Sequence, residues 1–248
     1  MPSYYNPYSN TSTSAMVLSQ EQMQVNAKFI WQYMHNKYGW TLNATAGMLG
    51  NIESESTMNP ARPQNNAVTN KWYPSAPGYT GDAPAPTTTW YGYGLFQITP
   101  YLALTGNREN PYTYGNWAIN RGYTFSWANG GTGGKMEAQL DWLMSGAPEK
   151  PYYNAAQPSA NQAKWYSHGS SPFSAATPAI YGKSTASPED CARTFYYNLE
   201  RSAAGTPGTR PTLARKWYDY LSSVLPVPPH DTAKSNFLIL AFAAGVIK

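Results

Sequence analysis

The stretch "GNIESESTMNP", residues 50–60, places two glutamates two positions apart where an apolar helical pattern ends. Thr41 has the chemistry of a helix N-cap. One helical face follows it at Leu42, Thr45, Met48, Leu49 and Ile52. Because Pro60 comes soon afterwards, the helix is predicted to end near Glu55. A chain with only 13 acidic residues therefore places Glu53 and Glu55 at one junction between helix and loop.

The composition restricts the class of protein. The 248 residues include 21 tyrosines, 9 tryptophans, 20 glycines and 21 prolines. This mixture is typical of one compact domain with irregular loops, in which most aromatic rings fill the core. Lys and Arg are spread thinly over a net charge of +4, which argues against a nucleic-acid-binding surface. The single cysteine, Cys191, excludes an internal disulfide framework.

Helical patterns dominate the chain. Ser19 and Gln22 form a capping-box pattern that predicts a helix ended by Gly39. Further helices are predicted near Met136, after the N-cap Ser187, and from Pro211. Residues 91–100, "YGYGLFQITP", read as a turn that leads into a short apolar run. Together these patterns predict a mainly α (α+β) fold with a small β or loop lobe and long irregular loops.

We predict three parts along the chain. Residues 1–17 form a low-complexity arm, which we expect to be disordered or ordered only against a neighbouring chain. Residues 18–225 form the compact domain. Residues 226–248 combine a "PVPP" linker with the apolar tail "FLILAFAAGVI". Eleven apolar residues are short of the ~20 that span a bilayer, so the tail is a last core helix, a membrane-touching segment or, as the linker favours, a peptide bound in a partner's groove.

Most catalytic chemistries find no support in the sequence. The histidines are isolated and lack metal-ligand spacing, so we expect no metal. The stretch "GGTGGKM", residues 130–136, lacks the spacing of a phosphate-binding loop, and no serine occupies a G-x-S-x-G turn. We expect no cofactor. The carboxylates remain as candidates, since a carboxyl group at a half-buried helix end can serve as a general acid in glycoside cleavage.

Helix geometry alone does not choose between the two glutamates. At about 100° per residue, Glu53 and Glu55 fall on opposite edges of the apolar face centred on Leu49 and Ile52. We expect at most one of them to point into a cleft. The pattern leaves open which one does.

Three stretches resemble a known family. "GMLGNIESESTMNP" (residues 47–60) and "YGYGLFQITP" resemble the phage tail lysozyme family, and they are similar to motifs of goose-type lysozymes and lytic transglycosylases. "TFYYNLERSAAGTPGTRPTLARKWYDYL" (residues 194–221) resembles the closing pattern of the same family. The resemblance spans roughly residues 20–222. It implies a lysozyme-like domain that degrades bacterial peptidoglycan.

The resemblance also implies roles for individual residues. The family's acid is the glutamate before the serine of the Ser-x-x-Asn-Pro turn, which is Glu55 in this chain. Ser56 is expected to hold a neighbouring backbone or sugar group, Gln97 an acetamido group, and Tyr93 to stack on a sugar ring. A hydrolase with inverting chemistry needs a second carboxylate, and Asp82 is the one acid in the loop between Arg62 and Trp90. A lytic transglycosylase needs none, because a hydroxyl of the substrate attacks.

The same resemblance predicts a biological setting. No basic start followed by an apolar segment occurs at the N-terminus, so we expect no signal peptide and synthesis in the host cytoplasm. The expected location is the phage tail, with genome entry as the purpose and other virion proteins as partners of residues 1–17 and 226–248. An endolysin for host lysis and a catalytically inactive structural or wall-binding tail component remain as alternatives.

Overall fold

A computed structural model describes residues 3–7, 14–62, 94–97, 114–122, 135–149, 165–200 and 205–225. Within these ranges the chain forms seven α-helices: α1 (Gln20–Tyr38), α2 (Leu42–Ser56), α3 (Tyr114–Ile119), α4 (Met136–Met144), α5 (Pro178–Tyr181), α6 (Pro188–Phe195) and α7 (Arg210–Val224). A π-helical turn, Tyr196–Glu200, continues α6. The described part contains no strand, and the chain is mainly α, as the sequence predicts.

The predicted caps of the first two helices are confirmed. The Ser19 side chain accepts a hydrogen bond from the Gln22 N–H, and the Gln22 side chain accepts one from the Ser19 N–H. Gly39 ends α1 with a left-handed φ of 64°. Thr41 accepts the Ala44 N–H at the start of α2. These contacts satisfy backbone groups that a helix end otherwise leaves unpaired.

Helix α2 lies at the centre of the domain and packs most extensively against α7 and α6. Two glycines make this close approach possible. A Cβ on Gly47 would come within 2.4 Å of the Cys191 Cβ on α6, and a Cβ on Gly50 within 2.4 Å of the Arg210 carbonyl oxygen on α7. Since real Cβ atoms do not approach other atoms so closely, both positions require glycine.

Large aromatic side chains fill much of the core, as expected from the composition. The largest fully buried ones are Trp40, Trp142, Trp165, Trp217, Tyr181, Tyr196 and Phe195. The Tyr181 hydroxyl donates to the carbonyl oxygens of Ala44 (2.9 Å) and Cys191 (3.2 Å). Its polar end is therefore paired inside the core, which makes burial of the ring favourable.

The N-terminal arm differs from its expectation, because its described part packs on the chain's own helices. The Tyr5 N–H donates to Asn26 Oδ1, and Asn26 Nδ2 donates to the Tyr5 carbonyl oxygen, both at 2.8 Å. The Tyr4 ring lies 4.7 Å from the Phe29 ring, and the Tyr4 hydroxyl donates to Glu137 Oε2 at 2.8 Å. A tyrosine has an apolar ring and a polar hydroxyl. Tyr4 can therefore both pack against the helices and form a hydrogen bond, which holds this short segment on the domain although it has no core of its own.

Several predicted features lie outside the described residues. They include Tyr93, Asp82 and the tail at 226–248. The three-part division of the chain stays a prediction. Among the residues that the structure does describe, no helix combines the length and apolar character needed to cross a membrane.

Candidate active site

The end of α2 carries both glutamates into a sharp turn. Ser56 is the last helical residue, and Thr57 and Met58 follow with left-handed φ values of 51° and 59°. The Thr57 N–H donates to the Glu53 carbonyl oxygen at 3.0 Å. Left-handed conformations are uncommon for residues other than glycine, and such strained backbone clusters at functional sites.

The Glu53 carboxylate is fully occupied by α7. Lys216 Nζ donates to Oε1 and Trp217 Nε1 donates to Oε2, each at 2.6 Å. The Glu53 side chain is 14% exposed, and the indole that it binds is buried. Glu53 therefore joins α2 to α7 through both of its oxygens.

The Glu55 carboxylate also faces α7, but only one of its oxygens is held. Arg210 donates through one terminal nitrogen to Glu55 Oε1, forming an ion pair. Within the described part of the chain, Oε2 accepts no hydrogen bond. The Glu55 side chain is 20% exposed. The two glutamates thus contact the same helix, although the helical wheel placed them on opposite edges of the apolar face.

A second arginine lies near Glu55 and links it to the motif at residues 94–97. Burial lowers the pKa of Arg62, and the nearby Glu55 carboxylate partly opposes this. The Arg62 carbonyl oxygen accepts the Gly94 N–H at 2.8 Å and Gln97 Nε2 at 2.8 Å. The two motifs that the sequence singled out therefore meet at the backbone of Arg62.

Gln139 on α4 completes this junction. Its Oε1 accepts the Leu95 N–H and its Nε2 donates to the Pro60 carbonyl oxygen, both at 2.7 Å. Gly94, with φ of 75°, lies so close that a Cβ there would meet Gln139 Oε1 at 2.3 Å. Sequence analysis missed Gln139. The available signal was a polar residue on the buried face of α4, beside Met136 and Leu140.

Asn59 holds the turn that follows Glu55. It is fully buried, and its Nδ2 donates to the carbonyl oxygens of Pro7 (2.9 Å) and Met16 (2.8 Å). Its Oδ1 accepts the Ala61 N–H at 2.9 Å. The N-terminal arm therefore contacts the Asn-Pro turn directly.

The other expected site residues have mixed outcomes. Ser56 is fully buried, and its hydroxyl donates to the Ile52 carbonyl oxygen at 3.1 Å. Such a bond to the carbonyl oxygen four residues earlier is common for a serine in a helix, and the expected role of Ser56 in the site stays a prediction. Gln97 has a left-handed φ of 46° and holds backbone through its Nε2, and its contact with an acetamido group stays a prediction. Tyr93 and Asp82 lie outside the described residues. The residues that are described contain no cluster of three or more His, Cys, Asp or Glu suited to a metal.

Comparison with known proteins identifies the family of this chain. A family model of phage tail lysozymes matches residues 25–221, a span that includes α2, the 94–97 turn and most of α7. Morphogenesis protein 1 of Bacillus phage B103 is 29% identical over 205 residues, which are 83% of this chain and 41% of that protein. The chain thus spans about two fifths of the length of this relative. This 248-residue chain is a lysozyme-like phage protein and belongs to the phage tail lysozyme family.

Proposed function

We propose that this protein is a virion-associated muramidase that cleaves the bond between N-acetylmuramic acid and N-acetylglucosamine in peptidoglycan, with Glu55 as general acid. The difference between the two carboxylates carries the proposal. Both Glu53 oxygens accept strong donors, whereas Glu55 Oε2 accepts none from the described residues. A general acid needs one oxygen that can hold a proton and face the substrate, and the lack of a donor on Oε2 supports Glu55 over Glu53 for this role.

The proposed step begins with a proton on Glu55 Oε2. This proton passes to the glycosidic oxygen, and the bond between that oxygen and the anomeric carbon breaks with its electron pair going to the oxygen. Glu55 becomes a carboxylate. Water or a hydroxyl of the substrate then attacks the anomeric carbon. We propose Asp82 as the base that takes the proton of the attacking water. In the transglycosylase route the Glu55 carboxylate takes the proton of the attacking hydroxyl, so no second carboxylate is needed.

Family membership supports peptidoglycan as the substrate and a phage particle as the location. We propose that the enzyme acts from the tail during genome entry, after synthesis in the host cytoplasm. The relative from phage B103 carries the name morphogenesis protein, which is consistent with a place in the virion. Because residues 3–7 pack on the chain's own helices, we assign the proposed contact with another virion protein chiefly to residues 226–248.

A second function deserves a test of its own. The Glu55 carboxylate forms an ion pair with Arg210, and an ion pair that joins α2 to α7 would also be expected of a contact that only holds the domain together. If the pair serves only this purpose, the domain is an inactive structural or wall-binding component of the tail. The name of the B103 relative is consistent with this alternative as well.

One digestion experiment separates the two functions. Purified peptidoglycan is incubated with wild type, Glu55→Gln and Glu53→Gln, and the released muropeptides are identified by mass spectrometry. We expect wild type to release fragments, Glu55→Gln to release none, and Glu53→Gln to release fragments at a reduced rate, because it weakens the contact of α2 with α7 but leaves the acid in place. Reducing ends identify a hydrolase and anhydro-muramic ends a transglycosylase. A wild type that binds the wall but releases nothing would overturn the muramidase and leave the structural function.

A further inference from the structure

We propose that Arg210 is a positioning residue for Glu55: it holds Oε1 so that Oε2 becomes the proton-donating oxygen. The inference rests on the proposed function, since it assigns the geometry of the same acid. A carboxylate has two chemically equivalent oxygens, either of which can take the proton, and the group rotates about the bond that joins it to the rest of the side chain. A donor fixed on one oxygen removes that freedom and selects the other. Arg210 occupies Oε1 alone.

The contact suits both protonation states of Glu55. When Oε2 carries the proton, Oε1 is a carbonyl-type oxygen and still accepts a hydrogen bond from the guanidinium. As the proton leaves for the glycosidic oxygen, negative charge develops on the carboxylate beside a cation already in place. A donor that is aligned before the reaction requires no reorganisation when charge appears. Arg210 therefore does not have to leave for Glu55 to react.

The surroundings of Arg210 fix its direction. It is buried, with 9% of its surface exposed; its guanidinium lies 5.0 Å from the centre of the Tyr196 ring and donates to the Pro207 carbonyl oxygen at 3.2 Å. Its Nε is buried without a hydrogen-bond partner in the described part of the chain. Leaving a buried donor unpaired is costly. Arg210 therefore keeps its ion pair with Glu55 although this position leaves its Nε without a hydrogen bond in the described part of the chain.

Two further contacts set the register between the helices that carry this pair. Gly50 allows the backbone of α7 to approach α2 at Arg210 itself. Two turns further along α7, Lys216 and Trp217 bind Glu53. The Glu53 contacts keep α7 from sliding along α2, and a slide would separate Arg210 from Glu55. This gives the first glutamate of the motif a role that differs from acid catalysis.

The test uses the full chain and soluble, uncrosslinked glycan strands, so that kcat and KM can be separated. The variants are Arg210→Gln, which removes the charge, and Arg210→Lys, which keeps it without the planar fork. Arg215→Gln is the matched control, because Arg215 lies on the same helix and pairs with Glu189 at the surface instead. Glu55→Gln defines the background rate, and thermal unfolding is measured for every variant.

We expect Arg210→Gln to lower kcat by about 10- to 100-fold with KM nearly unchanged, because binding is kept while orientation is lost. Arg210→Lys should fall between Arg210→Gln and wild type, and Arg215→Gln should match wild type. An unchanged or raised kcat in Arg210→Gln, or a loss confined to KM, overturns the inference and leaves the muramidase intact. If Arg210→Gln does not fold, Arg210→Lys decides: a kcat equal to that of wild type overturns it. An inactive wild type overturns both proposals.

Discussion

Gly50 lies directly against the backbone of Arg210: a Cβ on residue 50 would come within 2.4 Å of the Arg210 carbonyl oxygen. The backbone nitrogen of Ala214 would lie 2.7 Å from the same Cβ. Both are main-chain atoms of α7, so neither can rotate aside as a flexible side chain would. The short distance between α2 and α7 requires glycine at residue 50, and the contact between Glu55 and Arg210 depends on that distance.

We therefore expect Gly50→Ala to destabilise the domain. The added methyl group forces α7 away from α2, and overpacking of this kind costs about 1 to 3 kcal/mol. Unfolding in urea measures the free energy of unfolding of wild type and of each variant. Gly169→Ala is the matched control, because a Cβ on Gly169 meets no atom within 4 Å; it should change stability by less than about 0.5 kcal/mol. Equal effects of the two substitutions would show that the helices do not need the close approach.

Gln139→Leu is expected to weaken the junction between the two motifs. The buried Leu95 N–H and the Pro60 carbonyl oxygen would both lose their partner, and each unpaired buried group costs about 1 to 3 kcal/mol. The free energy of unfolding, measured in urea, and the rate of peptidoglycan digestion should both fall. Gln32→Leu on the exposed face of α1 is the control and should leave both unchanged. A fully stable and fully active Gln139→Leu would remove Gln139 from the site.

The arm offers a comparison between neighbouring tyrosines. Tyr4→Ala removes a ring packed on Phe29 and a hydroxyl that joins Glu137 to the Met136 N–H. We expect it to lower the free energy of unfolding by about 2 kcal/mol.

Tyr5→Ala is the control for the arm. It removes a ring that is 44% exposed, while the bonds between the Tyr5 backbone and Asn26 do not depend on the ring. Its effect should stay under about 0.5 kcal/mol. The free energies of unfolding of the two variants, measured with heat or urea, are compared with that of wild type. Similar small effects for both substitutions would mean that the arm contributes little to the stability of the domain.

Alkaline pH is expected to destabilise the protein through Cys191. Burial raises the pKa of this thiol from its ordinary 9.0 to about 12, and the Asp190 and Glu189 charges add to the rise against a hydrogen bond with Ser184. Above pH 9 the unfolded chain releases a proton that the folded chain keeps. The contribution of the thiol is therefore complete below pH 9 and is lost as pH rises towards 12.

The measurement is the free energy of unfolding at several pH values from 8 to 11, in wild type and in Cys191→Ala. Wild type should lose stability more steeply, by up to about 1.4 kcal/mol per pH unit. Burial also raises the pKa of Tyr181 in both chains, and the Cys191 charge adds to that rise in wild type only, so the interaction of the two groups is part of the measured difference. Parallel curves would contradict a shifted thiol.

Local features of the sequence predicted the helices and their ends. Ser19 with Gln22, Thr41, and Ser187 before Pro188 act on backbone groups within four residues of themselves, so their effect depends little on the rest of the fold. The choice of Glu55 over Glu53 required the family resemblance, because the helical wheel treats them alike.

The tertiary structure decided which partners each carboxylate meets. Arg210 lies 155 residues beyond Glu55, and no periodicity in the chain relates positions so far apart. Gln139 and the packing of the arm were missed for the same reason: their hydrogen bonds join segments that come together only when α1, α4 and the turn after α2 pack. The sequence by itself determined where helices begin and end and which motif carries two acids. Packing around Gly50 determined that one acid is held by both oxygens and the other by one, because ion pairs and hydrogen bonds depend on distances that only the folded chain sets.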